Sequence, residues 1–184
     1  MSSDLLRYKE LMDARHVVVT PKEAHHIVEY DYNAPPSIIW EWFNDPHKRG
    51  QWMTSEIIPV LSVKGRSGAG GRNHCVHGDN QVIVEDVLDI RPYDYFTVSH
   101  TPQGTSSVLF MTFEFQPVEM KKTHFRLLFK AQFPYTPDWI EKILCKSIVR
   151  NQLFKLWKLE SINQLMATSV VETQAVETTN NKQT

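Results

Sequence analysis

His74-Cys75-Val76-His77 is the stretch whose residue types come closest to a metal site. On a strand, Cys75 and His77 share one face and His74 points to the other. Two ligands at that spacing can share a metal, yet zinc takes at least three protein ligands. The third would have to come from His100 or Asp86 on neighbouring strands, and no second closely spaced ligand pair occurs. No metal is expected. The expected role of Cys75 and His77 is polar lining of a pocket, facing the head group of a bound molecule. Glu85 and Asp86 are adjacent, so on a strand they lie on opposite faces, and one of them points to the apolar side unless a bulge intervenes. A carboxylate on that side would have its pKa raised and could act as a general base. A bulge, or a rim position open to water, is the more ordinary explanation. Asp86, His77 and His100 are the candidate acid–base residues.

Two other stretches fail their chemical tests. Gly65-Arg66-Ser67-Gly68-Ala69-Gly70-Gly71 has no Lys-Ser/Thr after it and links two strands, so it reads as a flexible connection rather than a phosphate loop. Ser67 lacks the Gly-x-Ser-x-Gly elbow of a hydrolase nucleophile. His25 and His26 begin a strand and carry no assigned chemistry.

The elements that must position these residues follow from hydrophobic periodicity. The segment HHIVEYDYN, from His25, predicts a first strand, stopped by Asn33, Pro35 and Pro36. A short helix starts near Ser37 and carries Ile38, Ile39, Trp40, Trp42 and Phe43. Asn44-Asp45-Pro46 breaks it and opens a second, with Asp45 as N-cap and Pro46 at the first helical position, running to about Trp52. Trp40 and Phe43 lie three apart and should pack onto a sheet. Six more strands are predicted: Ile57–Lys64, Asn73–His77, Asn80–Ile90, Tyr95–Thr101, Ser107–Phe115 and Thr123–Phe133. In the last two, Leu109, Met111, Phe113 and Phe115, then Phe125, Leu127, Phe129, Ala131 and Phe133, alternate with smaller or polar residues. That pattern gives a sheet with one apolar and one wet face. Thr136-Pro137-Asp138 opens a long helix to about Leu165, with Thr136 as N-cap and Pro137 at N1. Residues 3–15 read as a charged helix and 167–184 as a disordered tail. The expected organisation is a helical extension over 1–24, one domain over 25–166, and the tail.

With a net charge of −1 and a pI near 6.7, the composition excludes electrostatic nucleic-acid binding. No apolar run approaches the roughly 18 residues that span a bilayer, and the amino terminus lacks a signal-peptide pattern. Two isolated cysteines, Cys75 and Cys145, read as reduced thiols of a cytoplasmic protein.

This order of elements, with the motifs NAPPSIIWEWFNDPHKRGQWM, GRNHCVHG and EDVLDIRPYDYFTVS, resembles the START-like or polyketide cyclase-like (SRPBCC) superfamily over about residues 25–165. Its marks are Ala34-Pro35 after the first strand, Trp40, the Asp45-Pro46 break and Trp52. The resemblance implies an α+β helix-grip fold: a curved antiparallel sheet of about seven strands around a long C-terminal helix, with two short helices after the first strand. It also implies a cavity between sheet and helix for a lipid, polyketide or similar molecule. Trp52 then falls on the cavity wall beside Met53. Met111, Phe113, Leu127 and Phe129 supply apolar contact, and Cys75, His77, His100 and Asp86 a polar end. The expected function is binding of a hydrophobic or amphipathic small molecule without a cofactor. A cyclase-, dehydratase- or hydrolase-like enzyme in the same cavity is the alternative, and a protein-interaction module a further one.

Overall fold

Alternation decides the architecture. In the strand Lys122–Gln132 the side chains of Phe125, Leu127, Phe129 and Ala131 are fully buried on one face, while His124, Arg126 and Lys130 stand on the other. The structure is a computed structural model and describes residues 19–53, 55–61, 68–78, 81–150 and 159–166. The elements run β1 (His26–Tyr32), α1 (Pro36–Asn44), α2 (Pro46–Met53), β2 (Glu56–Leu61), β3 (Arg72–His77), β4 (Gln81–Arg91), β5 (Tyr95–Pro102), β6 (Val108–Glu119), β7 (Lys122–Gln132) and α3 (Asp138–Ile148). Residues 159–166 are again helical.

The strands form one open, curved antiparallel sheet in the order β1-β7-β6-β5-β4-β3-β2. The first two strands therefore sit at opposite edges, and α1 with α2 carries the chain from one edge to the other. Register places Val28, Leu127, Phe113 and Phe96 in one transverse row, and Ala131, Leu109, His100, Glu85 and Asn73 in another. All of them point to the inner face. The α3 side chains of Cys145 and the following Val149, with Leu159, Ile162 and Met166, are buried in the same core. Asn163 Nδ2 donates to the Tyr30 hydroxyl at 2.9 Å, tying the second helical segment to the inner side of β1. This is the helix-grip arrangement expected from the sequence.

Several local devices are the expected ones. Asp45 caps α2, its Oδ1 accepting the N–H groups of His47 and Lys48 at 2.9 and 3.1 Å. Trp40 meets Phe96 and Phe115 with centroids 5.5 and 5.4 Å apart, and Phe43 stacks on Phe125 at 4.6 Å. Other features differ. The start of α3 falls one residue later than predicted: Pro137 is its N-cap, in an extended conformation. The Thr136 hydroxyl donates back to the Pro134 carbonyl at 3.3 Å, which removes it as a cap. Strand β6 runs through Pro117 to Glu119, with a bulge between those two residues. Pro117 is tolerated because β5 stops pairing with β6 at Glu114, so its missing N–H breaks no ladder on that side. The glycine connection, expected to be flexible, ends docked on β4: Gly70 N–H donates to the Val87 carbonyl at 2.8 Å, and Val87 N–H to that of Gly71 at 2.9 Å. A Cβ on Gly71 would stand 2.8 Å from the Gly68 carbonyl oxygen, so the close approach requires glycine.

The outer face is wet only in part. Arg126 pairs with Glu114, and His124 with Asp31, as a polar surface should. But Leu128, Thr97 and Thr112 are buried there, and the Val19 N–H donates to Thr112 Oγ1 at 2.9 Å. The chain before β1 thus reaches the outer face at Val19, away from the space between sheet and helix. The predicted 3–15 helix, the 167–184 tail and the middle of the long helix, including Leu153 to Trp157, lie outside the described residues. No helix among the described residues is long and apolar enough to cross a membrane.

Candidate functional site

A polar line crosses the inner face where three strands run side by side. Asn73 on β3 is the register partner of Glu85 on β4, and Glu85 that of His100 on β5. Arg49 reaches the same point from α2. Its Nη2 donates to Glu85 Oε1 at 2.6 Å, and Asn73 Nδ2 donates to the same oxygen at 2.7 Å. His100 Nε2 lies 2.7 Å from Glu85 Oε2. All four residues are at least 95% buried. Burial alone would push the Glu85 carboxyl up. The Arg49 charge and the hydrogen bonds from His100 and Arg49 outweigh it and hold Glu85 well below the usual carboxylate range. Glu85 is thus an anion whose lone pairs are already engaged, and not the raised-pKa base that an inward carboxylate suggests from sequence.

Cys75 completes the cluster. Its sulfur, a Glu85 carboxylate oxygen and a His100 ring nitrogen lie within 4.8 Å of one another, a donor set that resembles a metal site. Burial and the Glu85 charge push the Cys75 thiol up to about 12, against a smaller opposing effect of Arg49. In this arrangement the thiol stays protonated, and the Arg49 guanidinium supplies the positive charge beside Glu85. His25, Asp138 and Glu141 form a second such group. There His25 Nδ1 accepts the Ala131 N–H, so Nε2 carries the proton and donates to Asp138, while Glu141 accepts the Phe133 N–H. Neither group offers a free imidazole lone pair toward its carboxylates.

Beside His100 the inner face is not filled. A cavity of about 170 Å³ lies between the β4–β5–β6 end of the sheet and α3, lined among others by His100, Ile83, Leu109, Phe133 and Ile148. Gln81, Pro102, Ser107 and Val108 complete its wall. His100 Nε2 is taken by Glu85, and its Nδ1 is buried without a hydrogen-bond partner among the described residues. Arg49 Nε is a second such atom. Buried polar atoms normally find partners, and the His100 ring, which carries the first of these two, forms part of the cavity wall.

The candidate residues separate into groups. His100 lines this cavity, and Cys75 adjoins it through the Glu85 cluster. His77 is half-buried at the end of β3, opposite Gln81. Asp86 does not join them. It faces the outer side, where Arg72 holds both its oxygens at 2.6 and 3.0 Å. The β4 bulge falls at Leu88, beyond this point, and so leaves Glu85 inside and Asp86 outside. Trp52, Met53, Met111, Phe113, Leu127 and Phe129 are all buried in the core and none lines this cavity. Trp52 packs on Phe43 at 4.9 Å and donates its indole N–H to the Trp42 carbonyl at 2.9 Å. Arg49 and Asn73 were not among the residues singled out from sequence, nor were the apolar cavity residues Ile83 and Ile148. The signal available for Arg49 was indirect: an inward carboxylate requires a cation somewhere in the chain.

No known family model and no curated protein matches this chain. Solved structures do match. A protein from Mesorhizobium loti aligns with a TM-score of 0.57 at 16% identity over 78% of this chain and 98% of its own. DynU16, from the dynemicin biosynthetic locus, aligns with 0.55 at 15% over 78% of this chain, which spans only 47% of DynU16. An HSP90 activator from Plasmodium falciparum gives 0.55 at 14% over 77% of this chain and 95% of its own. At these identities the likeness is one of fold.

Proposed function

We propose that this protein binds a compact apolar molecule between its sheet and α3, with His100 as the polar anchor. What supports this is a largely apolar cavity whose wall includes the buried His100 ring, 3% exposed, itself held by Glu85. The size narrows the ligand. A cavity of about 170 Å³ is close to the roughly 150 Å³ that accepts one benzene, and below the ~300–1,000 Å³ of drug-sized sites. A single ring fits, or one end of a larger molecule such as a polyketide or lipid whose remainder extends outward. Residues 25–166 would form the binding domain, with 1–24 and 167–184 as appendages. The buried free thiols Cys75 and Cys145 suit a reducing, cytoplasmic setting.

The test is native mass spectrometry of the protein as purified, with release and identification of any adduct, followed by thermal-shift screening against single-ring compounds. A stoichiometric apolar adduct, or stabilisation by ring-sized compounds, supports the reading. An adduct-free mass together with no stabilisation across the panel sinks it. Catalysis in the same cavity is the second reading, favoured by the Glu85–His100 pair, in which a carboxylate orients an imidazole. Turnover of a bound ring-sized ester or enolisable ketone that His100→Gln abolishes would promote that reading above simple binding.

A further inference from the structure

We infer that the outward side of α3 docks the protein on the surface of an anionic lipid bilayer. The helix gives Ile148 to the cavity from one side, and its opposite side carries a separate feature. Trp139, Ile143 and Lys146 of α3, with Arg150 in the helical turn that continues it, follow at i, i+4, i+7 and i+11 and so form one stripe. All four are exposed, Trp139 by 64% and Ile143 by 61%, while Glu141 and Cys145 are buried on the other side. Leu144 flanks the stripe, partly in solvent, and Tyr135, just before the helix, is fully exposed. Tyr135 holds φ 61, a left-handed conformation that costs a bulky residue energy, and no packing of its ring offsets that strain.

Charge selects the partner. Lys142 is tied to Asp138 at 2.9 Å, and Glu141 accepts the Phe133 N–H from inside. Lys146 and Arg150 have no acidic partner among the described residues. Both lie near enough to His26 to lower its pKa, after burial, which is the larger cause. Exposed aromatic and aliphatic side chains interleaved with unneutralised cations on one side of a helix fit the boundary between headgroups and acyl chains of anionic lipid. A second copy seated on the same stripe would set like charges against one another.

The test is flotation of the full chain with vesicles of phosphatidylcholine and phosphatidylserine in equal parts, against vesicles of phosphatidylcholine alone. Binding to the mixed vesicles and not to the neutral ones is expected, weakening as salt rises. The double variant Lys146→Gln, Arg150→Gln should lower the affinity about twentyfold, at about fivefold per cation. Trp139→Ala should lower it about tenfold, for roughly 60 Å² of ring no longer taken from water. These side chains are exposed, and an unchanged urea midpoint shows that each variant is folded. No flotation with the mixed vesicles at low salt overturns the inference, as does flotation that neither variant weakens. A dimer in sedimentation that Ile143→Asp returns to monomer also overturns it, since a second copy then covers the stripe.

Discussion

Replacing Glu85 by Gln removes one charge and almost no volume, and it isolates what the polar row contributes. In the native protein Glu85 Oε1 receives two donors and Oε2 one. A glutamine keeps a single acceptor oxygen. If that oxygen stays with Arg49 and Asn73, the new NH₂ points at His100 Nε2, so the Glu85–His100 hydrogen bond is lost or reversed. Arg49, 2% exposed, is left without its counter-charge. Breaking a buried ion pair from one side costs about 3–5 kcal/mol. In a chain of 184 residues, at roughly 2–4 °C per kcal/mol, Tm should fall on the order of 6–20 °C. Chemical denaturation at pH 7 measures the difference directly. Glu85 sits below its unfolded value, so its contribution is fully present above about pH 4.3 and is lost as pH falls toward the folded value. The gap between wild type and Glu85→Gln should accordingly narrow below about pH 4. The double variant Arg49→Met, Glu85→Gln should be less destabilised than the sum of the single variants, since the stranded charge is gone. A Glu85→Gln protein within about 1 kcal/mol of wild type would refute the buried-anion reasoning.

Other substitutions probe separate parts of the structure. Phe43 touches the rings of Tyr32, Trp52, Phe113, Phe115 and Phe125, so Phe43→Ala should cost about 3–5 kcal/mol in urea denaturation. Asp86→Asn disturbs an outer-face pair with Arg72, and the thermal shift given by ring-sized compounds should match that of wild type. A loss comparable to that of a His100 variant would place Asp86 in the site after all. Cys75, fully buried and with its thiol pushed up to about 12, should resist iodoacetamide at pH 8 in the folded protein and react once urea unfolds it. Rapid alkylation of Cys75 in native conditions would contradict its place in the cluster.

What the sequence disclosed was local and periodic. The alternation through Met111–Phe115 and Phe125–Ala131 announces its inner face because one bulky residue type recurs every second position, and nothing interrupts the pleat there. Asp45-Pro46 announces a helix start because the cap acts on N–H groups two and three residues away. Glu85 and Asp86 could not be separated in the same way. Counting forward from Ile83 places Glu85 inside, whereas counting back from Ile90 places Asp86 inside, and the bulge at Leu88 makes both counts self-consistent. Arg49 stands in the run Pro-His-Lys-Arg-Gly-Gln, which reads as solvated surface. Its burial follows from α2 setting the guanidinium against Glu85 on β4, a juxtaposition no window of sequence contains. Trp52 was assigned to a cavity wall by resemblance, but Phe43 and the Trp42 carbonyl take up its ring and its N–H. The cavity itself is a gap left between distant elements, and gaps have no sequence signature.

The strand order has a consequence for how the chain is made. β1 sits at one edge of the sheet, and its neighbour is β7: His26 pairs with Phe129 and Tyr32 with Thr123, about 100 residues away. At roughly 5–20 residues per second of synthesis, β1 waits on the order of 5–20 s after leaving the ribosome before its partner exists. Through that interval α1 can rest on β5 and β6 through Trp40 and Phe43, but Phe43 still lacks the Phe125 ring on which it stacks. Pairings this remote in sequence make closure slow. The β2–β6 meander can assemble as it emerges, and β1 joins it only when β7 is complete. Nascent chains stalled before β7 should therefore expose β1 to protease, and chains released beyond it should not.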